Sequence, residues 1–570
     1  MLLILCSWFI IGLTFLSFGD MLANVWNSIT KKNDQYSIFD TFWIGICAVG
    51  TILLGISIIS PLNISITISL VAISIIYWVW KRKKLISLFN NSIQKFKSLS
   101  LLIKIAVFLC FIVVIACSVN TLLLYDAGLY HLQSMMWTEQ YKIIPGLGNI
   151  HGRLGFNSTF LLLSTAFNYQ PEYYPAFFSI NGLCIFVFSC WLISKINEYK
   201  SLFRQLIFAA ILVFFIFTFS NQISSTSTDI LPSILIIYVL FNCVLSKDIF
   251  SNRSLIVGLI PIFCITLKLS SAIIILISLC TLILYLKEKN YKALSMLLGI
   301  SCIIAVFWCY RFVILTGYLV YPFESIDIFS FDWKMPIETV ISEKEAAYAW
   351  PRIPMVDAKE VLAMPASEWI PVWLKRQSII SKCFLVLLSV SPLFLLLAVK
   401  RKRIKGIYSV LAWITAFIGC IFWFFTAPDF RFGLGMIFSC ALIPFLYLSS
   451  SDGTPSTITS NKFKERLLYI PSLALIITLL WLVRVGYRQA RHYEENKTIN
   501  ISWLYKPQSI HITKENTGIT FTGHEVGNTT VYSPDKGDRC FDQCLPCMPY
   551  FNDKLEMRGA LLEDGFRIKK

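Results

Sequence analysis

The sequence predicts an all-α polytopic membrane protein of about fourteen transmembrane helices, followed by a small β-rich or mixed outer domain. Composition is the first observation: 56% of the 570 residues are hydrophobic and only 15% are charged, unlike a soluble domain. The second is that apolar runs of transmembrane length alternate with short basic clusters. The third is a change at residue 487, after which polar residues and alternating apolar residues replace the long runs.

The net charge of +17 does not indicate a nucleic-acid partner. The lysines and arginines lie in short clusters between apolar runs, where they orient a membrane protein because basic loops stay in the cytoplasm. Residues 81–84 form such a cluster, so they predict a cytoplasmic loop and place the polar segment after residue 124 outside. The pattern predicts a protein of the cytoplasmic membrane with both termini outside the cytoplasm.

A helix needs roughly 20 apolar residues to cross the hydrocarbon core of a bilayer. The predicted spans are 2–29, 41–59, 62–80, 101–124, 176–194, 206–220, 230–245, 255–267, 269–286, 293–315, 378–399, 407–425, 432–448 and 467–485. The run 158–167 is too short to cross, so it is predicted to be a helix at the outer interface or dipping into it.

These spans predict three parts. Residues 1–100 hold the N-terminal transmembrane helices and a basic cytoplasmic loop. Residues 101–486 form a transmembrane core with outer loops 125–175 and 317–377, and residues 487–570 form the outer domain. In the second loop, Trp350, Trp369 and Trp373 lie among charged residues, which is typical of interfacial amphipathic helices that anchor on a membrane.

Cysteines cluster only at Cys540, Cys544 and Cys547. Zinc is one interpretation of this spacing, but no fourth ligand follows in a standard pattern. On an oxidising outer face, the same residues predict one disulfide and one free or differently paired thiol, with the pairing left open.

Asp126 opens the polar segment DAGLYHLQSMMW at the end of an apolar run. A carboxylate there is either an N-cap for the following helix or, when partly desolvated, a general base for an acceptor hydroxyl. Tyr130 would share its helical face and is a candidate for substrate binding. His131 and Glu139 are further catalytic candidates, with a hydrogen-bonded structural role as the alternative for His131.

The glycine-rich segment PGLGNIHGRLGFNS lets the backbone approach a ligand closely. Its His151 and Arg153 suit phosphate oxygens, because the planar arginine fork binds them in pairs. The spacing matches no nucleotide-binding loop. An interfacial anchor is the alternative role of Arg153.

Two further charged positions lie at the outer ends of predicted spans. Lys268 lies among apolar residues, where a charge is costly, so it should either snorkel to the interface or find an anion such as a phosphate. Asp229 is predicted to cap the helix that follows it. In the turn TAPDFRFGLG, Asp429 and Arg431 either pair at the surface or present Arg431 to a lipid-linked phosphate.

The strings YDAGLYHLQ, HGRLGFNS, TLKLS and TAPDFRFG together resemble a family of uncharacterised bacterial multi-pass membrane proteins. The general layout of residues 100–450 is similar to the GT-C superfamily of glycosyltransferases. That resemblance implies an inverting transferase that uses a polyprenyl-phosphate-linked sugar and carries an acidic residue in its first large outer loop. Here the acidic residue is Asp126, although its loop follows the fourth predicted helix and holds one acid where a pair is frequent.

The resemblance thus implies sugar transfer from a lipid-linked donor to a glycan or lipid acceptor at the outer membrane face. Asp126 would act as base, while Arg153, Lys268 and Arg431 would bind the donor phosphate without a required metal or cofactor. A polysaccharide polymerase or ligase would use the same cations on a lipid pyrophosphate. A lipid-linked oligosaccharide flippase or other transporter is the alternative from another class, and a non-catalytic scaffold is a third.

Overall fold

The computed structural model describes residues 2–121, 124–168, 178–199, 201–246, 248–404, 406–449, 476, 480, 508–509 and 518–569. Within these ranges the helices are α1 (Leu2–Thr30), α2 (Ile38–Ile59), α3 (Ile64–Trp80), α4 (Arg82–Ser98), α5 (Leu101–Val119), α6 (Leu132–Gln140), α7 (Thr159–Ala166), α8 (Ile180–Glu198), α9 (Leu202–Phe219), α10 (Ile230–Leu245), α11 (Ile249–Asn252), α12 (Ser254–Leu267), α13 (Ile275–Lys287), α14 (Tyr291–Thr316), α15 (Ile337–Ala349), α16 (Ala358–Ala363), α17 (Ala366–Arg376), α18 (Ile379–Lys400), α19 (Ile407–Thr426) and α20 (Phe430–Leu448).

The described helices make the chain a multi-pass membrane protein. Ten are long and apolar enough to cross a membrane, or eleven if α3 and α4, bent by 88°, form one span. The predicted count of about fourteen is not reached among the described residues, because α10 and α12 have only 16 and 14 residues. The predicted span 467–485 lies outside the described residues except for positions 476 and 480.

One hydrophobic core runs through the helical bundle from α1 to α20. The helices α1 and α2 approach each other most closely at two glycines. A Cβ atom on Gly45 would lie 1.7 Å from the Phe15 carbonyl oxygen, and one on Gly19 would lie 1.9 Å from that of Thr41. The helices within residues 1–100 therefore share the core of the rest of the bundle.

The short run 158–167 forms α7, and all eight of its residues are buried. It packs against α2 and α6, and the Ser158 hydroxyl before it donates a hydrogen bond to the Leu267 carbonyl at 2.7 Å. The predicted short helix is thus present, and it is enclosed by protein. Its backbone is helical throughout, so its polar groups are satisfied inside the bundle.

Two loop predictions are corrected. The basic segment after α3 is a helix, α4, because Leu and Phe recur at helical spacing within it. The second outer loop contains α15, α16 and α17, but Trp369 and Trp373 are buried, and the Trp373 Nε1 donates to the Pro428 carbonyl at 2.7 Å. Of the three tryptophans, Trp350 alone remains half exposed.

Short strands occur mainly near the C-terminus. The strand β1 (Asn120–Thr121), which follows α5, pairs in parallel with β2 (Gln508–Ser509). The remaining strands are β3 (Phe521–Val526), β4 (Thr529–Pro534), β5 (Leu555–Met557) and β6 (Phe566–Ile568). The pairs β3–β4 and β5–β6 are antiparallel. One disulfide joins Cys540 to Cys547 while Cys544 is free and exposed, as predicted.

The C-terminal domain, residues 518–569, packs on the segment between α5 and α7. A second hydrophobic cluster joins Trp137 and Leu147 of that segment to Val531 and Phe566. The Gln133 amide also donates to the backbone oxygens of Phe541 and Gln543, at 3.2 and 2.8 Å. The domain therefore covers the end of the bundle that carries Asp126.

Candidate functional site

Asp126 begins a π-helical turn, Ala127–His131, that leads into α6. Its backbone is helical, and its side chain makes no capping hydrogen bond. The carboxylate accepts a hydrogen bond from Arg153 Nη1 at 3.3 Å, and 37% of the side chain remains exposed. The N-cap interpretation is therefore wrong. The Asp126 carboxylate contacts Arg153 and remains partly exposed.

Arg153 joins two carboxylates that are distant in sequence. It lies in a 3₁₀ turn, Gly152–Gly155, and its Nε is 3.6 Å from Glu343 Oε2 on α15. Gly152 leaves room for this side chain, since a Cβ atom there would lie 2.6 Å from Glu343 Oε1 and would require Glu343 to shift. Burial raises the pKa of Glu343 above its ordinary value despite the opposing charge of Arg153. Asp126, Arg153 and Glu343 are called the Asp126 group below.

A second group forms around Asp229, at the start of α10. Lys268, directly after α12, donates a hydrogen bond to Asp229 Oδ1, and Arg431 Nη1 lies 3.9 Å from Asp229 Oδ2. Although burial raises the pKa of Asp229, Lys268 and Arg431 outweigh it and hold that pKa below its ordinary value. Asp229 makes no capping hydrogen bond to α10, so the prediction of a cap was wrong.

Asp429 completes this Asp229 group. It caps α20 by accepting from the backbone N–H of Arg431 at 2.9 Å, and its Oδ2 is 3.0 Å from Arg431 Nη2. The ammonium of Lys268 also lies 3.6 Å from the centre of the Phe432 ring. The predicted anion for Lys268 was a phosphate, but in the structure its partner is the Asp229 carboxylate of the same chain. An unpaired ammonium beside apolar helices would be costly.

His131 lies between the two groups and is buried. Its Nδ1 is 2.9 Å from the Thr226 hydroxyl, while its Nε2 is buried with no hydrogen-bond partner among the described residues. Burial lowers the pKa of His131 from its ordinary 6.5 to about 4. Four charged groups are close enough to act on this pKa: Asp126, Asp229, Lys268 and Arg153. The Asp126 group, the Asp229 group and His131 together are called the ion cluster.

An open cleft of about 360 Å³ lies beside the Asp126 group. Arg153, His151 and Glu343 line one side, and Asp538 and Tyr550 of the C-terminal domain line the other. Burial, with the charge of Arg153, lowers the pKa of His151 to about 3, so His151 is neutral at pH 7. Asp126, Lys268 and Arg431 are not among the described residues that line this cleft.

Tyr130 and Glu139, two of the predicted site residues, lie at different distances from the ion cluster. Tyr130 packs edge-on against His131, with ring centres 4.4 Å apart, and the Arg153 guanidinium lies 6.0 Å from the centre of its ring. Glu139 is half-buried, which raises its pKa, and no ion-pair partner is found for it among the described residues. The structure therefore brings Tyr130 to the ion cluster but not Glu139.

Two charged residues with clear structural partners, Glu343 and Arg311, were not among the candidates predicted from the sequence. Glu343 lies in a predicted outer loop, and nothing in the spacing connects it with Arg153. Arg311 is buried in α14, where its Nε donates to Asn157 Oδ1 at 2.9 Å and its Nη1 to the Ser57 hydroxyl at 2.6 Å. A lone arginine inside an apolar run was a usable signal, because charges in spans are costly and have partners.

Comparison with protein families matches residues 1–438 to a domain of unknown function, DUF8201. The chain belongs to the DUF8201 family. The match includes every residue of the ion cluster, whereas the Asp538 and Tyr550 side of the cleft lies beyond the matched part of this DUF8201 protein. No curated protein and no solved structure matches the chain. Within the described ranges, no group of three or more His, Cys, Asp or Glu residues is placed to hold a metal ion.

Proposed function

We propose that this protein is a membrane-embedded glycosyltransferase that moves a sugar from a polyprenyl-phosphate-linked donor to an acceptor at the outer face of the cytoplasmic membrane. The main support is the partly exposed Asp126 carboxylate, which accepts a hydrogen bond from Arg153, a residue that lines the cleft, and which lies near further cations. A disulfide in the C-terminal domain on the same face supports an oxidising outer side.

In the proposed reaction, Asp126 takes the proton of an acceptor hydroxyl as its oxygen attacks the anomeric carbon of the donor sugar. The bond between that carbon and the phosphate oxygen breaks, and the polyprenyl phosphate leaves with the electron pair. Positive side chains stabilise the charge that develops on the phosphate. Arg153 contacts Asp126 directly, whereas Lys268 and Arg431 contact Asp229.

The pairing of these cations sets a condition on donor binding. Each of Arg153, Lys268 and Arg431 already contacts a carboxylate, so the donor phosphate has to share or replace that contact. Of these three contacts, the one between Arg153 Nε and Glu343 Oε2 is the longest, at 3.6 Å. A phosphate that replaced Glu343 there would meet the planar Arg153 fork, which can bind two phosphate oxygens.

The cleft provides room for the acceptor. Its 360 Å³ lies within the range of small-molecule sites, and the His151, Asp538 and Tyr550 side chains offer hydrogen bonds to hydroxyl groups. His131 Nε2 offers one further hydrogen bond inside the ion cluster. The chain's own cations supply the charge for the leaving group, so the proposal assigns no metal and no cofactor.

The test uses the full chain in lipid bilayer discs with radiolabelled polyprenyl-phosphate hexoses and bacterial membrane lipids and glycans as acceptors. We expect sugar transfer with release of polyprenyl phosphate. The variant Asp126→Asn should lose about 10²-fold or more of this activity. Glu139→Gln is the matched control, because Glu139 is a carboxylate of the same segment that stands apart from the ion cluster, and it should keep activity.

Full activity of Asp126→Asn would remove the base from the mechanism. Movement of the labelled donor across a vesicle membrane without sugar transfer would instead identify a transporter. Transfer from a polyprenyl-pyrophosphate oligosaccharide, and not from the monophosphate hexoses, would identify a polymerase or ligase.

A further inference from the structure

The helix α4 is held differently from the rest of the bundle. It follows α3 after a bend of 88°, and none of its residues is buried. Since α3 packs along α1 through Ser74 and Tyr77, α4 runs nearly perpendicular to a helix of the bundle. It also lies on the face opposite the ion cluster, because α5 leads from one to the other.

An ion pair sets the direction in which α4 leaves the bundle. Lys84 Nζ, in the first turn of α4, donates to Asp20 Oδ1 of α1 at 2.6 Å. Asp20 also accepts from the Tyr77 hydroxyl at 2.6 Å and from the Asn24 amide at 3.1 Å. The start of α4 is thereby tied to α1 and α3, so the perpendicular orientation is built into the fold.

The remaining length of α4 exposes an apolar face. Ile86, Phe89, Ile93 and Phe96 recur at intervals of three and four residues, which places them on one side of the helix. Their side chains remain 58%, 49%, 49% and 46% exposed. Four large apolar side chains in a row exposed to water are unfavourable, which indicates that something apolar covers them.

The charges of α4 indicate what covers this face. Residues 81–98 contain six Lys and Arg and no Asp or Glu. Lys84 is paired with Asp20, but Lys83, Lys95 and Lys97 are exposed around the apolar face. An apolar stripe bordered by basic residues is typical of a helix that lies in a membrane surface.

We propose that α4 lies in the surface of the membrane and binds anionic phospholipid headgroups, with its apolar face among the upper acyl chains and its lysines at the phosphates. We assign the membrane as the partner that covers the apolar face of α4. The helix starts where α3 ends and runs nearly perpendicular to it, which places α4 at the level of the lipid headgroups. Basic residues bordering the face complement anionic lipids. This surface lies opposite the ion cluster, and the proposal does not depend on the proposed function.

The depth of α4 is tested with a fluorescent amino acid incorporated at position 93, on the apolar face, or at position 91, on the polar face. The full chain is placed in bilayer discs of mixed phosphatidylcholine and phosphatidylglycerol. We expect lipids that carry a nitroxide near the headgroup to quench position 93 at least twofold more than position 91, and aqueous iodide to do the reverse. Equal iodide quenching at the two positions would overturn the proposal and leave the face to a protein partner.

The charge of the headgroups is tested by the phosphatidylglycerol that co-purifies with the protein from such discs. The triple variant Lys83→Gln, Lys95→Gln and Lys97→Gln should retain roughly fivefold less, since each basic residue near an anionic surface contributes to attraction. The control replaces Lys287, Lys289 and Lys292, which lie on the same face where α13 ends and α14 begins. Equal losses in the two variants would overturn a specific role for α4, because they would reflect net charge alone.

Discussion

Lys268 and Asp229 form an ion pair where the end of α12 meets the start of α10, although they lie 39 residues apart in the sequence. The carboxylate is buried, and the ammonium side chain is 23% exposed. Arg431 approaches the second oxygen of the same carboxylate at 3.9 Å. Two cations thus converge on one buried anion, which keeps positive charge at this end of the bundle without leaving it unpaired.

Removing one member of this pair should destabilise the fold. In Lys268→Met, Asp229 loses its hydrogen-bonded cation, and we expect a loss of about 3 kcal/mol in unfolding free energy, measured in mixed micelles. Adding Asp229→Asn to that variant should restore part of the loss. The control is Lys334→Met, whose partner Asp327 is 37% exposed, and it should cost less than about 1 kcal/mol. A double variant less stable than Lys268→Met would contradict the pairing.

The buried His131 makes stability depend on pH. Burial lowers its pKa from 6.5 to about 4, so the folded chain keeps His131 neutral while the unfolded chain binds a proton below pH 6.5. Its contribution is therefore present above pH 6.5 and is lost as pH falls towards 4. We expect a loss of about 2 kcal/mol between pH 6.5 and pH 5 from this group.

The measurement is thermal unfolding at a series of pH values for the wild type and for His131→Gln. The variant cannot bind this proton, so its stability should fall less steeply between pH 6.5 and pH 5. Parallel curves for the two proteins would show that His131 does not carry the effect.

The close approach of α1 and α2 should not tolerate a side chain at Gly45. In Gly45→Ala, the new Cβ atom would meet the Phe15 backbone at 1.7 Å, so the helices must separate. We expect a loss of about 3 kcal/mol, at the upper end of overpacking costs, with a lower unfolding temperature. Gly12→Ala is the control within α1, because a Cβ atom there meets nothing within 4 Å. Equal stability of both variants would contradict the packing.

The sidedness of the chain can be measured with thiol labelling. Cys544 is exposed in the C-terminal domain, so a membrane-impermeant maleimide should label it in spheroplasts. The variant Ser87→Cys on α4, made in a chain in which the exposed Cys6, Cys302, Cys383 and Cys544 are replaced by serine, should react only after the membrane is permeabilised. The opposite result would place the ion cluster in the cytoplasm and remove the basis for an outer glycosyltransferase.

Apolar run lengths predicted most of the long helices, though not the count of fourteen spans, because the length of a span is a local property set by bilayer thickness. The runs at α2, α14 and α19 are helices close to their predicted limits. One disulfide within the cysteine cluster was also predicted, but the pairing of Cys540 with Cys547 is known only from the structure. The same local reasoning placed Asp126, Lys268 and Arg431 near helix ends, where charges avoid the hydrocarbon.

The sequence by itself determined that this protein is a multi-pass membrane protein with its candidate charges at span ends. Only the tertiary structure decided that Glu343 contacts Arg153 across 190 residues of sequence, that Asp229 pairs with Lys268 and makes no cap, and that α4 turns away from α3. The physical reason is that a charge near apolar helices needs a partner, but the partner is chosen by which helices pack together. That packing depends on side-chain shape over the whole bundle, as at Gly45, and no single segment contains it.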